Sequence, residues 1–273
     1  MNIDYENSLR KVLNAIEENL DYVTIEELIS ISGYSYYHFH RIFKTYVGES
    51  LKRYIRRLQM QRALLKMQID QENITQIAIS SGFDSSSAFN KSFKKMFGIN
   101  PSQYRQKLLP QRQLYANILP VRYETVPEIE VYSLRTVGDY KTVDESWTKL
   151  INFAKKHSLF GRNFYAYAIA YDNPDIADEE QLRYDACITK TKKVEITVDE
   201  KISSKTLAGG KYAVFLHRGD HGALVNTYNS IFGNWLYTQN DRLRDVTVIQ
   251  KFLNNKYEVT EDKLLTEVYV PII

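Results

Sequence analysis

The 273-residue chain has one cysteine, Cys187, so an internal disulfide is excluded and a reducing compartment is expected. No apolar run approaches the roughly 20 residues needed to span a bilayer, so no membrane partner is expected. The opening stretch, MNIDYENSLRK, lacks an apolar core and is not expected to act as a secretion signal, which points to the cytoplasm. Charge of one sign is also scarce, because the net is only +3. That small excess is unevenly placed. Residues 1–110 carry 15 Lys and Arg against 11 Asp and Glu, whereas residues 111–273 carry 21 against 22. The first part is therefore the better candidate for an acidic partner such as nucleic acid. Phosphate loops, nucleophile elbows and zinc-ligand spacings are missing too, so no cofactor, metal or catalytic residue is expected.

Internal repetition is present instead, twice over. TIEELISISGYSYYHFHRIFKTYVGESLKRYI (24–55) returns as NITQIAISSGFDSSSAFNKSFKKMFGINPSQYR (73–105). Ile25 matches Ile74 and Gly33 matches Gly82 at an offset of 49, while Phe39, Phe43 and Gly48 match Phe89, Phe93 and Gly98 at 50. Each copy reads helix, tight turn, helix. Thr24 with Glu27 makes a capping box, and Asn73 with Gln76 a looser one. Gly33 and Gly82 fall where a left-handed residue ends the first helix. Ser35, and either Asp84 or Ser85, can cap the second helices. Phenylalanines four apart share one face and predict a core. Helices are also expected over 5–19 and 57–69, the latter joining the copies.

The second repetition has an offset of 81. Gly138-Asp139 matches Gly219-Asp220, FYAYAIAYD (164–172) matches DVTVIQKFL (245–253), and RYDACIT (183–189) matches LLTEVYV (264–270). The alternating β-branched and aromatic segments predict strands, and 144–157 and 221–236 predict amphipathic helices. The expected fold is thus two domains: an all-α domain with two helix-turn-helix units, and an α+β domain of two pseudo-symmetric strand-helix-strand-strand repeats. The segment 106–120 has two prolines and no periodicity and is expected to link them.

In a helix-turn-helix the second helix enters the major groove. The outward positions there are Tyr36, Tyr37, His40, Arg41 and Lys44 in the first copy, and Ser86, Ser87, Asn90, Lys91, Lys94 and Lys95 in the second. Arg41 suits guanine, Tyr37 thymine methyls and Asn90 adenine, while Lys94 and Lys95 suit phosphate. Each of these residues would equally suit an ordinary solvated helix face. The runs G-Y-S-x-x-x-F-x-R-x-F-K (33–44) and G-F-D-S-x-x-x-F-x-x-x-F-K (82–94), closed by Gly98, Pro101, Tyr104 and Arg105, resemble the AraC/XylS family of transcription regulators. That resemblance implies seven helices, a DNA-binding domain over 1–107 and a linker over 108–120. It also implies double-stranded promoter DNA as partner, contact with RNA polymerase, and activation rather than repression.

Residues 121–273 resemble the GyrI-like effector-binding domain through AIAYDNPDIADEEQLRYDACIT (168–189), GGKYAVFLHRGDHGALVNTYNSIFGNWL (209–236) and TEVYVPI (266–272). The order of the two domains is similar to that of Rob-type regulators. The resemblance implies a cleft between the repeats, lined by aromatics, for flat apolar or cationic small molecules. Its candidate lining is Trp147, Tyr167, Tyr171, Tyr228, Trp235 and Phe252, each of which is equally suited to the core. Where the family carries a carboxylate in an E-x-Y strand, this chain has Gln250-Lys251-Phe252, leaving Glu267 as the other strand carboxylate. Losing the carboxylate removes the strongest reason to expect a cationic effector, because an uncompensated cation is costly to bury, and a neutral effector or none becomes the alternative. A small-molecule hydrolase would want a cleft acid or base, and a ligand-free interaction module would want neither; both stay open beside the sensor. His217, Asp220 and His221 are read as a turn and helix cap rather than a metal site, and Cys187 as a buried inert thiol.

Overall fold

The computed structural model describes residues 3–20, 23–69, 72–111, 116–172, 177–194, 201–236, 243–244 and 246–273. Its contacts divide the chain into Met1–Pro110 and Gln111–Ile273.

The first unit is helical among its described residues: α1 (Ile3–Glu18), α2 (Ile25–Ser32), α3 (Tyr36–Val47), α4 (Leu51–Ile69), α5 (Ile74–Ser80), α6 (Ser86–Phe97) and α7 (Pro101–Gln111). The capping box at Thr24 and Glu27 is fully formed, and Gly33 ends α2 with φ +69°. Asn73 caps α5 by accepting from the Gln76 amide at 2.8 Å. Ser85, not Asp84, caps α6, accepting from the Ala88 amide at 3.1 Å. Ser35 occupies the equivalent position before α3 but makes no side-chain bond.

Phe39 and Phe43 are fully buried with Leu28, with Leu9, Val12, Leu13 and Ile16 of α1, and with Leu51, Tyr54 and Leu58 of α4. The second copy repeats this arrangement. Phe43 meets Tyr54 at 5.6 Å, and Phe93 meets Tyr104 at 5.3 Å. The joining helix expected over 57–69 begins earlier, at Leu51, because α4 is also the closing helix of the first copy. Its far end holds the second copy: Gln59 donates to the Gly82 carbonyl at 2.5 Å, Lys66 to that of Ser80 at 2.6 Å, and Arg56 lies 4.6 Å over the Phe83 ring. One continuous helix thus orients both α3 and α6. At the other end, α7 continues to Gln111, into the segment expected to be a linker. The middle of that segment, 112–115, lies outside the described residues.

The second unit has eight strands among its described residues: β1 (Arg122–Val126), β2 (Ile129–Val137), β3 (Ala166–Ala170), β4 (Arg183–Thr189), β5 (Ile202–Leu207), β6 (Gly210–Arg218), β7 (Ile249–Phe252) and β8 (Leu265–Pro271). Helix α8 (Asp144–Lys156) follows β2, and α9 (Leu224–Ser230) follows β6. Each repeat is therefore strand-strand-helix-strand-strand, one strand more than expected. The overlooked strands, RYETV and ISSKTL, are edge strands that alternate between exposed and covered residues and are largely polar. The expected helix 221–236 is also interrupted. It opens with a 3₁₀ turn, His221–Ala223, and widens into a π turn over Ile231–Trp235 that buries both of those end residues.

The antiparallel order is β1-β6-β8-β7-β3-β4-β2-β5. It is palindromic under exchange of the repeats, and it places the first strand of each repeat beside the other repeat's strands. Arg122 pairs with Val214 just as Ser133 pairs with Ser203, at an offset of 81. In the later strands the offset is 82: Thr136 pairs with Tyr184 and His217 with Thr266. Ala168 faces Gln250 across β3 and β7, so this pair sits at the pseudo-two-fold axis.

The sheet cannot be flat. Only Pro127 and Glu128 separate β1 from β2, a reach of about 11 Å. In the strand order they are six steps apart, about 29 Å in a flat sheet. Curling brings the ends together and encloses the helix-free face, where Val131, Tyr167, Ile169, Cys187, Tyr212, Val214, Ile249 and Tyr269 are buried. The other face packs Tyr132, Leu134, Ala168, Tyr184, Ala186 and Ile188 against Leu150, Phe153 and Ala154 of α8.

Candidate nucleic-acid interface and effector cleft

On α3 the buried Phe39 and Phe43 fix which residues face out. Tyr36 and Tyr37 are 62% and 76% exposed, and Arg41 and Lys44 are exposed beside them. Tyr36, Tyr37, His40 and Arg41 line one open depression. The Arg41 guanidinium makes no hydrogen bond or ion pair with the described residues, so a planar five-donor group is left for an external acceptor. His40 is half-buried, with its ring 4.5 Å from Tyr36 and 5.5 Å from Phe39, and contributes more to the wall of the depression than to its rim.

On α6, Ser87, Lys91, Lys94 and Lys95 are exposed, while Ser86 and Asn90 are half-buried. The Asn90 amide donates to the Ser86 carbonyl at 2.8 Å and to its hydroxyl at 3.3 Å. It is thus engaged with its own helix and would have to leave it to pair with adenine at both positions. The two helices differ in character: α3 presents aromatic and guanidinium groups, α6 small hydroxyls and ammonium groups.

The pleat of the sheet divides the expected effector residues. Trp147, Tyr228, Gln250 and Phe252 gather on the helix side. Trp147 lies 5.4 Å from Phe252 and donates to the Tyr184 hydroxyl at 3.1 Å; Gln250, buried, donates to the Tyr228 hydroxyl at 3.0 Å. Tyr167, Tyr171 and Glu267 lie on the opposite, enclosed face, because each has the other parity along its strand, and so they do not join this group. Trp235 is fully buried 4.8 Å from Phe215 and belongs to the core. The helix-side group also contains Tyr140, Tyr184 and Phe232, which are not singled out by the sequence pattern, and His221, which the sequence suggested only as part of a turn and helix cap. Tyr184 alternates with Arg183 and Asp185 along a strand that was expected, so its parity was the available signal. Tyr228 and Phe232 stack at 6.0 Å and 8°, and His221 meets Phe252 at 5.0 Å.

A GyrI-like small molecule binding domain model matches residues 119–273, and a helix-turn-helix domain model matches 28–107. The chain belongs to the GyrI-like family, here joined to an AraC-type helix-turn-helix domain. It is 36% identical over 102 residues to the uncharacterized HTH-type transcriptional regulator YbfP of Bacillus subtilis, covering 37% of this chain and 35% of that one. It is 30% identical over 179 residues to the putative HTH-type transcriptional regulator YkgA of Escherichia coli, covering 64% and 65%. Over 294 aligned residues it is 22% identical to the transcriptional regulator Rob of Salmonella typhimurium, covering 99% of each. The chain thus spans less than two thirds of the first two relatives.

Within the GyrI-like domain, the helix-side group is uncharged. Burial pushes the Tyr228 hydroxyl up to about 12 and raises Tyr140 and Tyr184 as well, while burial lowers His221. Formal charge is concentrated on the other face. Arg135 grips Asp185 at 2.7 and 3.0 Å, and Lys205 reaches the same carboxylate at 3.1 Å. Arg122 lies between Glu267, at 2.5 and 3.0 Å, and Glu124, at 3.1 Å. His217 holds Thr227 at 2.8 Å and the Asp220 carbonyl at 3.0 Å, tying β6 to α9, while the Asp220 side chain accepts from Gly222 at 3.0 Å. Burial, then the nearby Asp185 charge, raises the Cys187 thiol far above its ordinary value, so the sulfur is not a nucleophile. No described helix is long and apolar enough to cross a membrane.

Proposed function

We propose that the chain is a cytoplasmic, sequence-specific transcription regulator, acting as an activator on double-stranded promoter DNA, with a GyrI-like domain that takes a flat apolar or aromatic effector. The carrying observation is the outward face of α3, where Tyr37 and Arg41 are exposed over a rigid Phe39–Phe43 core. In this reading Tyr36, Tyr37, His40, Arg41 and Lys44 meet one stretch of major groove. Ser86, Ser87, Asn90, Lys91, Lys94 and Lys95 meet another about one helical turn away, chiefly through phosphate. The working boundaries are 1–107, 108–120 and 121–273. RNA polymerase is the partner proposed for activation.

A non-enzymatic role for the GyrI-like domain is supported by its helix-side group, which offers an amide, neutral phenols and the His221 imidazole but no carboxylate. Selection of random duplex DNA on the full-length protein, with binding of the winning site at two salt concentrations, tests the proposal. Two enriched half-elements about one turn apart support it. Weak binding that salt erases without enrichment refutes sequence-specific reading.

A further inference from the structure

The hydrogen bonds at Gln250 and Tyr228 leave part of that pair's capacity unspent. Gln250 donates to the Tyr228 hydroxyl at 3.0 Å, and no described residue takes the Tyr228 proton or donates to the Gln250 carbonyl oxygen. Turning the amide over exchanges these roles but still leaves at least one donor and one acceptor open. Tyr184 repeats the pattern from the other half of the domain. Its hydroxyl accepts from Trp147 at 3.1 Å, and its own proton has no acceptor among the described residues.

Gln250 faces Ala168 at the pseudo-two-fold axis, where the neighbouring strand contributes only a methyl group. Trp147, Phe252 and the Tyr228–Phe232 stack supply flat apolar surface around it. The formal charges around the group are already engaged: Lys256 with Asp144 at 2.6 Å, Arg183 with Asp172 at 2.8 Å beside Tyr140, and the Asp220 carboxylate with the Gly222 amide at 3.0 Å beside His221. A cation would therefore be buried without a counter-ion, and so would an anion, at large cost either way.

We propose that the effector of this cleft is an uncharged planar molecule carrying a carbonyl beside an N–H, as lactams and cyclic ureides do. Its carbonyl would accept from the two hydroxyls and its N–H would donate to the Gln250 oxygen. This rests on reading the helix-side group as the effector cleft.

Titration calorimetry of the full-length protein with three matched probes tests it: 2-quinolone, 1-methyl-2-quinolone and the 1-methylquinolinium cation. The expected order places 2-quinolone first, with N-methylation and positive charge each weakening binding at least about tenfold. Tyr228→Phe and Tyr184→Phe should each weaken 2-quinolone about fivefold, and Gln250→Glu should reverse the order of quinolone and cation. Equal binding of the two quinolones, or preference of the native protein for the cation, overturns the proposed chemistry while leaving the cleft in place. Absence of binding by all three probes, to the native protein and to Gln250→Glu alike, overturns both. The comparison on the native protein decides the chemistry even if a Tyr variant fails to fold.

Discussion

Asp185 and Glu267 hold equivalent places in the two repeats, and each ties in an edge strand contributed by the other repeat. Asp185 on β4 receives Lys205 from β5, and Glu267 on β8 receives Arg122 from β1. The exchanged strands are thus held by ion pairs whose carboxylates are buried and whose cations are partly exposed, pointing in opposite senses along the sequence. Burial works to raise the Asp185 carboxyl, but Arg135, Lys205 and Tyr171 outweigh it and hold the group well below the usual carboxylate range. Glu267 is likewise lowered, with burial opposed by Arg122 and Tyr269. A carboxylate depressed by folding stabilises the fold above its unfolded value and ceases to do so as pH falls through its folded one. The second unit should therefore lose stability progressively below about pH 4, the unfolded carboxylate range. Asp185→Asn should cost roughly 3 kcal/mol at neutral pH by removing the buried negative charge that Arg135 and Lys205 share, and should flatten that acid limb. Both tryptophans lie in this unit, so urea melts followed by tryptophan fluorescence at a series of pH values read it selectively. An acid limb unchanged by the substitution would refute this role for Asp185.

Closure of the curled sheet rests on the approach of two short turns, which gives a second prediction. A Cβ at Gly209 would lie 2.7 Å from the Glu128 nitrogen and 2.9 Å from the Pro127 carbonyl carbon. Both are backbone atoms and cannot rotate away. Gly209→Ala should cost about 2 kcal/mol or more. Gly161→Ala, where a Cβ meets nothing within 4 Å, should change stability by no more than about 0.5 kcal/mol. Equal melts for the two variants would mean that the turns can separate without loss.

How much of this was readable beforehand depended on the kind of signal. Paired phenylalanines four apart announced α3 and α6, because a helix turns a local spacing into a shared face. The strands β1 and β5 escaped because an edge strand covered on one side needs little apolar residue, and RYETV and ISSKTL carry little. Tyr167 and Gln250 were grouped in advance although they belong to opposite faces. Alternation shows that neighbouring residues diverge, but not which set meets a helix. The Gln250–Tyr228 bond joins residues 22 apart through a strand and an interrupted helix, and only the assembled fold reveals it.

Two serines in matched positions should respond differently to the same change. Ser85 caps α6 through its side chain, whereas Ser35 at the start of α3 makes no such bond. Ser85→Ala should lower the stability of the helical unit by about 1 kcal/mol, and Ser35→Ala by a few tenths at most. Thermal melts followed by circular dichroism, with Thr24→Ala as a positive control for a formed capping box, would detect the difference. A larger loss at Ser35 would contradict the assigned caps.

The contrast between the reading helices predicts two different signatures in DNA binding. Arg41, unpaired among the described residues, is a planar fork beside aromatic rings, suited to one base edge; Lys94 and Lys95 end a helix whose first turn offers serines. Arg41→Ala should cost about 1–3 kcal/mol on the selected site and relax preference at a single base pair. Removing Lys94 and Lys95 together should weaken binding to all sequences alike and reduce the dependence of log affinity on log salt by about two. Competition binding against single-base variants of the site, repeated at two salt concentrations, separates the two effects. If Arg41→Ala instead weakened every sequence equally and lowered the salt slope, its guanidinium would be holding phosphate, and base reading would have to be sought in Tyr36 and Tyr37.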